Sequence, residues 1–474
     1  MPLEITTRSG STATFTGEQV DELRMGFRGP LITPQDDGYE QARTVENRYI
    51  DRRPGLIVRC SGTADVIDAV NLARDHDLLV AVRGGGHHVA GHSMADGGLV
   101  IDLSTMTAVR VDPDNRRVEV QGGATWGDVD RETQAFGLAV PGGVVSTTGV
   151  GGLTLGGGIG WLHRRWGLAC DSLRAAELVT ANGQLVRASA EDNPDLLWGL
   201  RGGGGNFGVV VNFTFDAYPL GPMVMVGATC YPAAEGATLM RAWRDWAVEV
   251  PDEVTTRAIF VTLPADPHLP PEVHDQEVLM AAALYAGDPD KGAEVVQPVR
   301  ELGEPLADIS GPYPYRMFQS GFDELLAGLR GYWKSTFLAE LTDEVIDLIA
   351  ERAMDRPHPL TAVHVPLLGG ATGRVGASDT AFGDRSAPWM LSVDGAWDDP
   401  ALDERAIAWV RQAIADAQRL PGVGGAYLNF SADAGDDTSV VEAQYGHNLE
   451  RLAELKKAYD PDNLFRLNSN IRPA

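Results

Sequence analysis

The stretch Leu78–Ser104 reads LLVAVRGGGHHVAGHSMADGGLVIDLS. A short apolar β-type run, Leu79 to Val82, breaks into Arg83-Gly84-Gly85-Gly86-His87-His88, and a second apolar run, Leu99 to Leu103, closes the segment. Two strands joined through glycines leave backbone N–H groups pointing into a concavity that binds anions, phosphates above all. Three successive glycines remove every Cβ that would hold a ligand off the backbone. Arg83 can add charge-assisted bonds to a phosphate. His87, at the lip of the turn, is a nucleophile placed to meet a bound cofactor. His87, His88 and His92 also raise a metal reading. Closed zinc sites draw four ligands at tighter pairings, however, and no cysteine lies near, so no metal is expected.

A second glycine-rich stretch, Pro141–Asp171, reads PGGVVSTTGVGGLTLGGGIGWLHRRWGLACD. Its glycines recur through a long segment instead of punctuating one turn, which suggests backbone wrapped closely around a large flat ligand. Taken in order, R-x-G-G-H, a strand ending I-D-L, and G-V-G-G-x-x-x-G-G-G-x-G resemble the berberine-bridge-enzyme-like FAD-linked oxidases. The chain is similar to the bacterial members of the 6-hydroxy-D-nicotine oxidase type. The resemblance implies an α+β chain of the vanillyl-alcohol-oxidase/PCMH type, with an FAD-binding domain and an α+β substrate domain built on an antiparallel sheet.

At 474 residues the chain is long for one domain and suggests two. Glycine supplies 55 residues, about 12%, against roughly 7% in average usage. The excess falls in the two stretches above and near 202–208. A formal net charge of −27 argues against nucleic acid and anionic membranes as partners. Cys60, Cys170 and Cys230 are far apart and form no disulfide framework. The opening MPLEITTRSGS lacks a signal-peptide pattern, and no apolar run approaches a membrane span. A reducing cytoplasm is the expected location.

In chain order, a helix is expected from about Thr16 to Arg28. Strand Leu56–Cys60, Ser61 as a cap, helix Ala64–Asp75 and strand Leu79–Val82 follow. Val109–Val120 reads as a hairpin about Asp112–Asn115, Thr125–Phe136 as a helix, and Ala176–Arg187 as a hairpin turning at Asn182-Gly183. The run Gly203-Gly204-Gly205-Asn206-Phe207-Gly208 fits G-x-G-x-x-G formally. It follows a helix-like segment, Asp195–Leu200, and precedes a strand, Val209–Phe215, the reverse of the dinucleotide fingerprint. No P-loop motif is present.

The glycine-rich character ends near Pro219–Pro222, which sets the expected boundaries: an FAD-binding domain at 1–219, a substrate domain at 220–423, and a segment at 424–474 that returns to the first domain. The expected strands of the middle part are Met223–Cys230, Ala258–Thr262, Val278–Ala286, Ala362–Leu368 and Trp389–Trp397. The expected helices are Ala237–Val248, Lys291–Glu301, Thr342–Met354 and Leu402–Leu420, all on one face of the sheet. A further helix is expected over Ser439–Tyr459.

A flavin carries redox chemistry itself, while the protein binds, orients and supplies a base. The resemblance implies FAD on Val82, Arg83, Gly84, Gly85, Gly86, His87 and His88, with Gly91 and Ser93 close by. It places the isoalloxazine along Thr148, Gly149, Gly151, Gly152, Gly156, Gly157, Gly158 and Gly160. Gly208 and Val210 would meet the adenine end, and Asn468 and Asn470 the ring or ribitol. His87 holds the position of covalent attachment. Relatives carry a second link through a cysteine, where Val145 stands here, so one bond is expected. Tyr427 is the base implied, with Asn429 beside it and Lys334 and Arg374 next in line. Arg374 stands where plant members place a catalytic glutamate, so berberine-bridge ring closure is not implied. Tyr332, Trp333, His364, Trp389 and Trp397 lie on segments that face the flavin in relatives. The expected function is hydride abstraction from a C–OH or C–N carbon of a small or medium organic substrate, with reoxidation by O2. A dehydrogenase using another acceptor, and a flavin-binding module without turnover, are the alternatives. Oligomeric state stays open.

Overall fold

The computed structural model describes residues 2–265, 269, 271–323, 327–432 and 438–474. Its first layer is a four-stranded sheet in the order Leu31–Ile32, Leu56–Arg59, Leu99–Asp102, Val80–Arg83. The two apolar runs that flank the first glycine stretch thus become neighbouring strands, and they run parallel. Parallel pairing requires a long crossover, and residues 84–98 supply it as an irregular loop. Helix Thr63–Asp75 follows the strand Leu56–Arg59 and buries Val66, Ala69, Val70 and Ala73 against the sheet. Ser61 is not its cap. The buried carboxylate of Asp65 accepts the N–H groups of Arg28, Gly29 and Ser61 instead.

A five-stranded antiparallel sheet follows, in the order Leu185–Ser189, Leu173–Val179, Val209–Asp216, Arg117–Gln121, Val109–Asp112. Both hairpins expected from the sequence are present in it. The chain then enters a nine-stranded antiparallel sheet whose long central strands are, in order, Met223–Pro232, Glu277–Tyr285, Val254–Thr262, Ala362–Pro366, Trp389–Trp397 and Arg330–Leu338. Arg330–Leu338 is a strand the sequence pattern had not singled out.

Side chains alternate across a strand, so each of these six has two faces. Helices Gly236–Ala247, Asp343–Met354 and Asp403–Ala417 cover one face. There Val254, Ala258, Phe260, Val363, Leu391 and Val393 join Trp243, Ile346 and Val410 in one core. The other face turns toward the glycine-rich stretches. Buried Asn47 fastens the two parts: its Nδ2 donates to the Val89 and Gly331 carbonyls, and its Oδ1 accepts from Gly331 N.

The expected helix at 439–459 is broken into Thr438–Tyr445, a single 3-10 turn, and Leu449–Tyr459. The last helix is stapled to the third glycine run. Buried Lys456 Nζ donates to Asp460 Oδ2 at 2.6 Å, to the Asn206 carbonyl at 2.8 Å and to the Phe465 carbonyl at 2.9 Å. Asn206 in turn binds Ser469 O and Ile471 N. Among the described residues no helix is long and apolar enough to cross a membrane.

Candidate active site

A cavity of about 460 Å³, well inside the range of small-molecule sites, lies between the glycine-rich stretches and the face of the large sheet opposite those three helices. Close backbone approach builds its floor. A Cβ on Gly85 would lie 2.6 Å from Gly149 Cα, and one on Gly149 would lie 2.5 Å from Gly85 N. The two glycine stretches therefore cross main chain to main chain. Val82, Gly84, Gly85, Gly86, His87, His88 and Ser93 line the cavity on one side of the crossing, and Thr148, Gly149, Gly151 and Gly152 on the other. Gly208, Val210 and Asn468 close one end.

Half-buried His87 bonds Thr147 Oγ1 through Nε2 at 3.3 Å. His88 and His92 pack ring on ring with centroids 4.3 Å apart, and Ala90 N donates to His88 Nδ1. Burial holds His88 down at about 4 and His92 well below its ordinary value, so both rings are neutral at pH 7. Around this floor the Nε2 atoms of His88 and His92, Ser93 Oγ and Asn468 Oδ1 are buried without a partner. Buried polar atoms are normally bonded, and four orphans lining one cavity fit a polar ligand. Among the described residues no His/Cys/Asp/Glu group could hold a metal.

Other expected contacts lie elsewhere. Arg83 is absent from the lining: its Nη1 donates to the Ala42 carbonyl, under Gly86. Gly91 packs on Ile50 and its carbonyl accepts from Arg52. Gly156, Gly157, Gly158 and Gly160 also stand behind the wall, closed in by Asn429, Phe382, Ala169 and the Gly142 carbonyl respectively. Asn470 is buried outside the lining.

Tyr427 is buried behind the wall too, and its oxygen accepts from Gly158 N at 3.1 Å, Ile159 N at 3.0 Å and Asn429 Nδ2 at 2.9 Å. Burial, opposed by these donors, pushes its phenol up to about 12. Asn429 itself reaches the cavity.

The sheet face sorts the remaining residues by alternation. Trp333 and His364 line the cavity. Tyr332, Trp389 and Trp397 point into the helix-covered core, where Tyr332 Oη accepts from Arg411, Trp389 packs on Trp243, and Trp397 Nε1 donates to Asp403. Lys334 shares their side of its strand and is absent from the lining. Arg374 is exposed and paired with Asp252. The cavity face instead presents two charged side chains that the sequence reading passed over, Asp394 and Arg257. Asp394 Oδ2 accepts from His364 Nε2 at 3.0 Å, its Oδ1 accepts from Ser392 Oγ, and His364 Nδ1 is buried without a partner.

Residues 54–189 match the family model described as FAD binding domain, and residues 426–472 the one described as berberine and berberine like. The FAD-linked oxidoreductase YgaK of Bacillus subtilis is 31% identical over 94% of this chain and 97% of its own length. The chain belongs to the berberine-bridge-enzyme-like FAD-linked oxidoreductases.

This FAD-linked oxidoreductase is also 29% identical to (R)-6-hydroxynicotine oxidase of Paenarthrobacter nicotinovorans, over 95% of this chain and 98% of that one. The crystal structure of 6-hydroxy-D-nicotine oxidase from Arthrobacter nicotinovorans superposes with a TM-score of 0.83 at 27% identity, over 94% of this chain and 98% of that one. The fold is of the vanillyl-alcohol-oxidase/PCMH type. The glycine crossing and the orphaned polar atoms fit FAD. Sequence reading found this floor through its glycines. It missed Asp394 and Arg257, which carry no local motif.

Proposed function

We propose that this FAD-linked oxidoreductase is an oxidase, taking hydride from a C–OH or C–N carbon of a small organic substrate and passing the electrons to O2, which becomes H2O2. The observation that carries this reading is one cavity shared by the glycine floor and the His364–Asp394 pair. In this assignment residues 1–219 and 424–474 hold the cofactor, residues 220–423 supply the substrate face, and the enzyme works in the cytoplasm.

FAD, tethered through His87 alone, supplies the two-electron acceptor when bound. Val145 sits in the lining at the second attachment position and has no sulfur. The three cysteines are buried and none lines the cavity. His364 is the proton acceptor: Asp394 holds its Nε2–H, which leaves the Nδ1 lone pair for the substrate's O–H or N–H. Loss of that proton and of hydride from the adjoining carbon gives C=O or C=N. Tyr427 acts through others, fixing the Gly158–Ile159 turn and Asn429. Thr148, in the floor, stands where oxidases of the family often carry valine at the position thought to gate oxygen, and its valine-like shape supports access for O2.

The test follows flavin absorbance anaerobically across alcohols, amines and sugars, then mixes the reduced enzyme with O2. Rapid reoxidation with stoichiometric peroxide is expected. Reoxidation many orders slower than with an artificial dye assigns a dehydrogenase, and no reduction by any substrate assigns a binding module.

A further inference from the structure

Arg257 is a charged side chain with no ion-pair or hydrogen-bond partner among the described residues. It sits in the middle strand Val254–Thr262, is 5% exposed, and lines the cavity together with Ile259 and Val261 of the same strand face. Its guanidinium lies over the Trp161 ring, 4.3 Å from the centroid. Nε is buried with no partner, and no described residue accepts a hydrogen bond or completes an ion pair with the group. A buried cation without a partner is costly. Two acids share the cavity. Asp394 attracts Arg257 at longer range, but both its oxygens are engaged by Ser392 and His364. Asp275 is exposed at the rim.

We propose that Arg257 is the specificity residue of the substrate site, and that the substrate carries a carboxylate which its guanidinium binds. This rests on the oxidase reading only in placing the substrate in this cavity. Desolvation lowers the guanidinium to about 10, which leaves it charged at neutral pH, and its planar fork matches a carboxylate. The register sets the spacing. His364 lies opposite Ile259 on the neighbouring strand, and Arg257 is two residues along from Ile259, which makes it a diagonal neighbour of His364 at roughly 8 Å between backbones. Trp333, Phe430, Met280 and Trp161 line the cavity between and around them. The geometry suits an aromatic acid whose oxidisable carbinol or amine carbon lies across the ring from its carboxylate.

Calorimetric titration of the purified holoenzyme with benzoate and with benzamide, its neutral isostere, tests this. Wild type is expected to bind benzoate at least 10-fold more tightly. Arg257→Gln is expected to bring the two ligands within about 3-fold of each other by weakening benzoate alone. Arg257→Lys, which keeps the charge in the fold should the glutamine variant not fold, is expected to lose part of the preference. Equal affinities in wild type overturn the proposal, as does a preference that survives unchanged in either variant. Flavin absorbance on the same samples separates the two readings. Protein lacking flavin refutes the oxidase assignment, while the benzoate-to-benzamide ratio still reports on Arg257.

Discussion

Substituting Gly149 by Ala isolates the crossing of the two glycine stretches. Gly149 has φ −66° and ψ 134°, which any residue adopts, so the new methyl causes no backbone strain. Its only penalty is contact: the Cβ would stand 2.5 Å from Gly85 N and 2.8 Å from Gly85 Cα. Reaching the ordinary contact distance of 3.4 Å requires the two main chains to part by about 0.9 Å. Neither neighbour is a side chain that can swing aside. Overpacking of this kind costs about 1–3 kcal/mol. The smaller unfolded-state entropy of Ala offsets about 0.4–1 kcal/mol. A net loss of about 0.5–2 kcal/mol should lower the melting temperature by a few degrees, since 1 kcal/mol is worth about 2–4 °C in domains of about 150–250 residues. Because the parted loops form the cavity floor, flavin per protein should fall as well. Gly152→Ala is the companion. Its Cβ meets nothing within 4 Å and its glycine lines the cavity, so flavin retention should drop while the flavin-free protein melts no lower. Gly149→Ala matching wild type in both melting temperature and flavin content would refute the reasoning.

Four further outcomes are expected. His87→Ala should release all flavin on denaturation where wild type keeps one per chain, and peptide mass mapping that finds flavin on Cys170, on His88 or on no residue would sink the single tether. Asp394→Asn should cut turnover by about 10²–10⁴ with flavin content unchanged, and a pre-steady-state reduction rate equal to wild type would remove the His364–Asp394 pair from the chemistry. Tyr427→Phe orphans the buried Gly158 and Ile159 N–H groups, at about 1–3 kcal/mol for a buried unsatisfied group, so it should melt lower and also reduce flavin more slowly; wild-type stability and reduction rate together would remove the positioning role. Asp130 is buried and held up at about 7, so the folded state keeps a proton that the unfolded chain releases near pH 4. Stability should therefore fall as pH rises from about 4 to 7, by at most on the order of 4 kcal/mol, and denaturant titrations of Asp130→Asn should show that slope flattened.

How much was legible follows from what each residue's environment owes to local sequence. The floor was readable because glycine runs are rare and their order is distinctive. Which glycines face a ligand was not, since composition cannot tell Gly152, open on the cavity, from Gly160, packed on the Gly142 carbonyl. On the sheet face, Trp333 and His364 line the cavity, while Tyr332, Trp389 and Trp397 lie one residue of register away from it. In Trp389–Trp397 alternation is plain, but it does not say which side meets helices, and the tryptophans take the helix side because that side buries most apolar surface. Asp394, one step out of phase, inherits the cavity, with Ser392 buried beside it as a donor to its carboxylate. Arg257 fell just outside a strand read as starting at Ala258, where a charge looks like a boundary.

The staple of Lys456 on the third glycine run sets an order on biosynthesis. Leu428–Phe430 and Phe465, Leu467, Asn468 and Ser469 line the same cavity as Gly208, yet Ser469 leaves the ribosome roughly 260 residues later, about 13–50 s at ordinary elongation rates. Throughout that interval the glycine floor has neither its far wall nor the ammonium that Asn206 and Phe465 share. Cofactor capture is thus a late event in the life of each chain, and nascent molecules stalled before residue 465 should emerge colourless however much FAD the cell contains.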